Sequence, residues 1–153
     1  MHQIKPQRIS AENFAPFGKV VLAPTQEPTA AGPTFKFWSD IAGYHVDGDT
    51  EVGLCTVYRQ DRDVVDWMEQ HVRTPEILIP IDAPFVLPVM NDGGVEAFVV
   101  KPGEVVIIGD GQWHSACIPA GRMEMTYFVI FRRSTPLEDV TKQDIEAVEI
   151  ERI

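Results

Sequence analysis

The chain has 153 residues, with 13 basic and 23 acidic side chains and a formal net charge of −10. That length suits one domain, large enough to bury about two thirds of the unfolded chain's surface, and the acidic excess speaks against a nucleic-acid or anionic-membrane partner. Met1-His2-Gln3-Ile4-Lys5 has no apolar leader and no later run approaches the roughly 20 apolar residues of a membrane span, so a cytoplasmic protein with a small-molecule substrate is expected.

In chain order, Ile9 to Gly18 predicts one short helix or helical turn capped by Ser10 and stopped by Gly18, with Phe14 and Phe17 docked on the core. Val20-Val21-Leu22 reads as a strand. Pro24 to Pro33, rich in Pro, Thr and Ala, reads as a loop and a candidate lid. Thr34 to Trp38 and Val52 to Tyr58 read as strands, with Asp47-Gly48-Asp49 as a turn between them. Further strands follow at Val64 to His71, Glu76 to Ile81, Phe85 to Met90, Glu96 to Lys101, Glu104 to Ile108 and Glu124 to Arg132, punctuated by Pro, Gly, Asn and Asp. Short strands at regular spacing argue for an all-β antiparallel sandwich or barrel, one domain over residues 1–153. Thr135-Pro136-Leu137-Glu138 reads as a second helix start, with Thr135 its cap, and Val148 to Ile153 as an edge strand. Glu138 to Glu151 is an acidic, solvated face. Cys55 and Cys117, in apolar settings without a Cys-x-x-Cys motif, read as buried free thiols.

Two stretches carry chemistry. Lys101-Pro102-Gly103 is a turn, Glu104 to Ile108 a strand, and Gly109-Asp110-Gly111 a sharp reversal at which both glycines allow positive φ, aiming His114 back across the sheet. Upstream, alternation over Val64 to His71 puts Val65, Trp67, Glu69 and His71 on one face and Asp66, Met68 and Gln70 on the other, with Glu76 following after four residues. The spacing of Gly103, Gly109, Gly111 and His114 resembles the second half of the cupin signature, and Glu69, His71 and Glu76 resemble the first, with Glu69 in place of its first histidine. Gly109 stands where that signature has proline and Ile118 where it has asparagine. The resemblance implies a cupin-type antiparallel β-barrel with short N- and C-terminal helices. It also implies metal ligands at His71, Glu76 and His114, with Glu69 a fourth ligand or an acid/base. Singly, each histidine also fits a buried hydrogen-bonded residue and each glutamate a solvated strand position. Trp113 reads as a pocket wall, and His2 and His45 as surface, His2 in a disordered start.

Three stretches resemble the ureidoglycolate lyase family of cupins: Ser10 to Val21 with its Phe14-Ala15-Pro16-Phe17-Gly18, Met68-Glu69-Gln70-His71 with Ile77 to Ile81, and Lys101 to His114. The chain departs from the family pattern at Gln70 (usually Arg), Glu76 (usually Gln) and Ser115 (usually a second His). The resemblance implies elimination of urea from ureidoglycolate to leave glyoxylate, late in allantoin and purine breakdown. Catalysis would involve Glu69, His71 and His114, with a divalent ion (Ni, Zn, Mn or Fe) chelating the α-hydroxy acid. Arg73, Lys101 and Trp113 are the candidate substrate-binding residues, and pairing of two copies through edge strands is implied. The altered mouth residues leave open another cupin enzyme, an isomerase or dioxygenase on a small hydroxy acid, and a non-catalytic small-molecule binder.

Overall fold

Because turn residues interrupt nearly every apolar run, the chain folds into short strands; a computed structural model describes all 153 residues. In chain order these are β1 (His2–Ile4), β2 (Gln7–Arg8), the helical turn α1 (Ala11–Phe14), β3 (Gly18–Val21), β4 (Ala30–Gly32), β5 (Phe35–Phe37), β6 (Thr50–Tyr58), β7 (Val64–Gln70) and β8 (Glu76–Pro80). There follow β9 (Phe85–Asn91), β10 (Gly94–Val100), β11 (Val105–Ile108), β12 (Trp113–His114), β13 (Ile118–Pro119), β14 (Glu124–Arg132), α2 (Thr135–Glu138) and β15 (Thr141–Ile150).

Two curled sheets make the cupin-type barrel. One is ordered β1-β15-β7-β12-β9-β10-β2, with β13 also on β9; the other is β3-β11-β8-β14-β6. Only the terminal additions β1 on β15 and β2 on β10 are parallel. Alternation on β9 sends Phe85, Leu87 and Val89 into the main core and Val86 into a second cluster with Met68 and Ala97. In the main core, the ring of Phe98 meets Phe14 edge-on at 5.2 Å and Phe17 at 5.6 Å, so the N-terminal turn docks as expected. Burying each such side chain contributes about 1.5–3 kcal/mol.

Several local expectations need correction. The expected helical turn α1 is present with its expected cap, Ser10 Oγ accepting from the Asn13 N–H at 3.0 Å and Asn13 Oδ1 from the Ser10 N–H at 2.8 Å; it ends before Pro16, which lacks the N–H to continue it, so Gly18 opens β3 instead of stopping a helix. The Pro24–Pro33 segment is not all loop, since Ala30–Gly32 pairs with Phe35–Phe37 as a hairpin. His2 is exposed but ordered, held in β1 opposite Val148. The last strand begins at Thr141 and is no edge, because β1 and β7 flank it. Thr135 does not cap α2. Ser134 holds that place at φ 66°, while the Thr135 hydroxyl donates to the Arg132 carbonyl. Cys55 and Cys117 are unpaired thiols, Cys117 buried and Cys55 half-buried.

On β7 the expected face holds for Trp67 and Glu69 but not for Val65, which joins Met68 in the second cluster. The cause lies on the partner strand. Opposite Val65 and Trp67, β15 places Val148 and Asp144, so it carries extra residues there, and a bulge twists β7 locally.

Candidate metal centre

Both sheets contribute to one cluster inside the barrel. Glu76 opens the central strand β8 and shares the inward parity of core residue Leu78, while β7 brings Glu69 and β12 brings His114, directly opposite Glu69. His71 follows the end of β7. The reversal before His114 works through two different glycines. Gly111 takes φ 74° and its N–H donates to the His71 carbonyl at 2.6 Å. Gly109 does not use the positive φ open to it; a Cβ there would lie 3.3 Å from the Phe17 carbonyl, so its smallness serves close packing.

Each imidazole is fixed by a backbone carbonyl. His71 Nδ1 donates to Asp139 O at 2.7 Å and His114 Nδ1 to Gln112 O at 2.9 Å. A carbonyl can only accept, so the Nδ1 atoms carry hydrogens and the Nε2 atoms are left to face inward. Both converge on Glu76 Oε2, at 3.3 Å from His71 and 2.7 Å from His114. For His114 the short approach is not a hydrogen bond in geometry: His114 Nε2 and Glu76 Oε2 are buried without a bonded partner. Glu69, His71 and His114 also present ligand atoms within 4.8 Å of one another. Two imidazole nitrogens and two carboxylates with a mutually unsatisfied pair are a donor set that a divalent cation fits.

Charge behaviour follows from this crowding. Burial alone would raise the Glu76 pKa, but His114 and His71 outweigh it and hold the carboxyl at about 2. Burial would lower both imidazoles, and the contacts with Glu76 reverse that, raising His71 and His114 above the ordinary value. Burial pushes the Cys117 thiol well up and keeps it neutral.

The cluster opens into a cavity of about 330 Å³ whose lining includes Glu51, Glu69, Glu76, His114, Tyr127 and Phe131. A smaller cavity of about 260 Å³ shares Glu69, Glu76, Phe131 and Pro136 with it and adds His71, Val140 and Lys142. A separate cleft of about 350 Å³, lined by Tyr58, Arg62, Asp63 and Trp67 among others, has no histidine, and its one carboxylate, Asp63, is engaged by Arg152.

Residues 1–151 match the family model described as ureidoglycolate lyase. The chain belongs to the ureidoglycolate lyase family. A ureidoglycolate lyase from Chelativorans sp. (strain BNC1) is 28% identical over 144 residues, covering 86% of each chain. Among solved structures, an oxalate decarboxylase variant from Bacillus subtilis is 17% identical with a TM-score of 0.47, over 64% of this chain and 24% of that one. Peruvianin-I, a cysteine peptidase from Thevetia peruviana latex, is 14% identical with a TM-score of 0.47, over 63% and 55%. The chain thus spans about a quarter of the oxalate decarboxylase it matches.

Against the ureidoglycolate lyase pattern, the departures at Glu76 and Ser115 both fall in the cavity lining, and Gln70 is half-buried on the neighbouring strand. Glu69, His71, Glu76 and His114 come together as a group. Arg73, Lys101 and Trp113 do not join them. Arg73 is exposed beside a turn pinned by Asp139, Lys101 is exposed at the turn before β11, and Trp113 packs on the second cluster, because strand alternation turns it away from His114. Sequence reading missed Glu51, Asp139 and Lys142. Asp139 supplies the His71 carbonyl contact, and its carboxylate accepts the N–H groups of Val72 and Arg73 at 3.0 and 2.9 Å. Glu51 and Lys142 reach the site through pairing registers between distant strands, and Asp139 through the connection from α2 to β15, none of which a local motif records.

Proposed function

We propose that the protein eliminates urea from ureidoglycolate to give glyoxylate, with His71, Glu76 and His114, assisted by Glu69, holding a divalent cation. The observation that carries this reading is the convergence of both Nε2 atoms on Glu76 Oε2 beside Glu69, in a chain of this family. When bound, the cation supplies positive charge that lowers the pKa of a coordinated hydroxyl.

The chain's own groups do the rest. Glu69, on the barrel wall between His114 and Lys142, takes the proton of the carbinol hydroxyl; the C–O bond becomes C=O as the C–N bond breaks. The departing nitrogen then receives a proton, and Glu69, recharged by the first transfer, is placed to give it. The backbone carbonyls of Asp139 and Gln112 keep both imidazoles oriented through the cycle. Phe131 and Pro136 give the cavity an apolar wall beside the cluster.

Urea release from ureidoglycolate by metal-reconstituted protein tests the reading, run beside His114→Ala. Release above the spontaneous rate that disappears in the variant supports it. No release with one metal still bound per chain overturns the substrate.

Pairing of two copies belongs to the same reading. Strand β6 is an unpaired sheet edge whose outward residues Val52, Leu54 and Tyr58 are 67%, 67% and 64% exposed. Light scattering should report a dimer that Leu54→Lys converts to monomer; a wild-type monomer would rule it out.

A further inference from the structure

An anionic substrate needs a positive partner, and the larger cavity has none: its lining holds Glu51, Glu69 and Glu76 but no lysine or arginine. The one basic side chain bordering the cluster is Lys142, in the lining of the smaller cavity with Glu69, His71 and Glu76. Its place is set by register. Glu69 stands opposite His114 on one side and opposite Lys142 on the other, and residues opposed in antiparallel strands share a face. His114, Glu69 and Lys142 therefore form a row across β12, β7 and β15. Lys142 makes no ion pair; its Nζ rests 4.9 Å from the centre of the Trp67 ring, which is on the same strand face as Glu69.

Resting on the function proposed above, we infer that Lys142 is the residue that captures the substrate's carboxylate, leaving the Trp67 ring to do so, and that it selects a small hydroxy acid over its uncharged amide. Lysine suits such a transfer, because a compact charge on a flexible four-carbon stem can leave one partner for another. A cation–π contact at an exposed site is weak, whereas a charge-assisted bond to a carboxylate in a partly closed cavity is stronger. The bland alternative is that Lys142 only balances Glu69 across the strand pair.

The test compares wild type with Lys142→Met and Lys142→Arg, using glycolate and glycolamide as probes of metal-reconstituted protein by calorimetry, and ureidoglycolate turnover. Lys142 is exposed, so both variants should fold, with melting temperatures near wild type. Capture of the carboxylate predicts that Lys142→Met weakens glycolate at least tenfold, leaves glycolamide unchanged, and raises KM for ureidoglycolate with kcat within about threefold. Lys142→Arg should restore most of the loss. Unchanged glycolate affinity and KM in Lys142→Met overturn the inference, as does a fall in kcat alone, which would mark Lys142 as a partner of Glu69. If wild type releases no urea yet discriminates glycolate from glycolamide through Lys142, the proposed reaction fails and the carboxylate site stands.

Discussion

Stripping the metal and replacing Glu76 by Gln should expose how strongly the two imidazoles hold that carboxylate. In the folded protein Glu76 titrates at about 2 instead of the usual 4.5. A drop of that size corresponds to about 3 kcal/mol of differential stability, as an order of magnitude. The sign is set by the direction of the shift. A depressed carboxyl stabilises the fold above pH 4.5 and loses that contribution as pH falls toward 2. His71 and His114 are raised, so their contribution is complete below about 6.5 and fades as pH rises through their folded values. Metal-free protein is therefore expected to be most stable between about pH 4.5 and 6.5. Urea unfolding of chelated wild type and Glu76→Gln, from about pH 2 to 8, measures it. The difference between the two should shrink by about 3 kcal/mol on the acid side and also narrow above about pH 7. The exposed Arg62–Glu149 pair titrates in both proteins and cancels. Parallel stability curves would refute the reasoning, since they would mean that Glu76 has the same pKa folded and unfolded.

Three further substitutions separate chemistry from scaffold. Glu69→Gln should lower kcat by about 10²–10⁴-fold while the melting temperature stays within a few degrees; steady-state kinetics and a thermal melt check both halves. Asp139→Ala releases the Val72 and Arg73 N–H groups and should cost about 1–3 kcal/mol, read by chemical denaturation, with metal affinity lowered by the loosened His71 turn in a competition titration. Phe98→Ala removes the ring on which Phe14 and Phe17 pack and should cost about 3–5 kcal/mol, leaving the metal stoichiometry of the folded fraction at wild type.

The barrel was legible because its signals are local. Proline and glycine turns delimit Glu76–Pro80, Phe85–Asn91 and Val105–Ile108 almost to the residue. His71, Glu76 and His114 were legible for a similar reason, since spacing on a strand fixes which face a side chain takes. Face assignment failed where the partner strand intervened, as at Val65, whose side chain follows the bulge in β15. Arg73 and Lys101 lie next to the motifs in sequence but on turns, where proximity along the chain says little about side-chain direction. Lys142 lay unread in a charge-rich segment with no motif, because only the pairing of β15 with β7, far earlier in the chain, brings it beside Glu69.

Metal removal should also change how the cavity receives its ligand. With Glu76 ionised down to about pH 2 and Glu51 and Glu69 in the same lining, the metal-free cavity is set against an entering carboxylate. Opposite or like unit charges about 4 Å apart near a protein surface interact by about 4 kcal/mol, so one lysine at the rim does not offset three lining carboxylates. Binding should therefore be ordered, cation first and hydroxy acid second. Chelated protein is expected to lose glycolate binding more completely than Lys142→Met does, and to regain it when the ion is returned. The returned ion should also stabilise the fold, by about 2.7 kcal/mol at a hundredfold excess over its Kd. Equal glycolate affinity before and after chelation, by calorimetry at one pH and ionic strength, would show that the carboxylates do not repel the ligand and that the acid binds elsewhere.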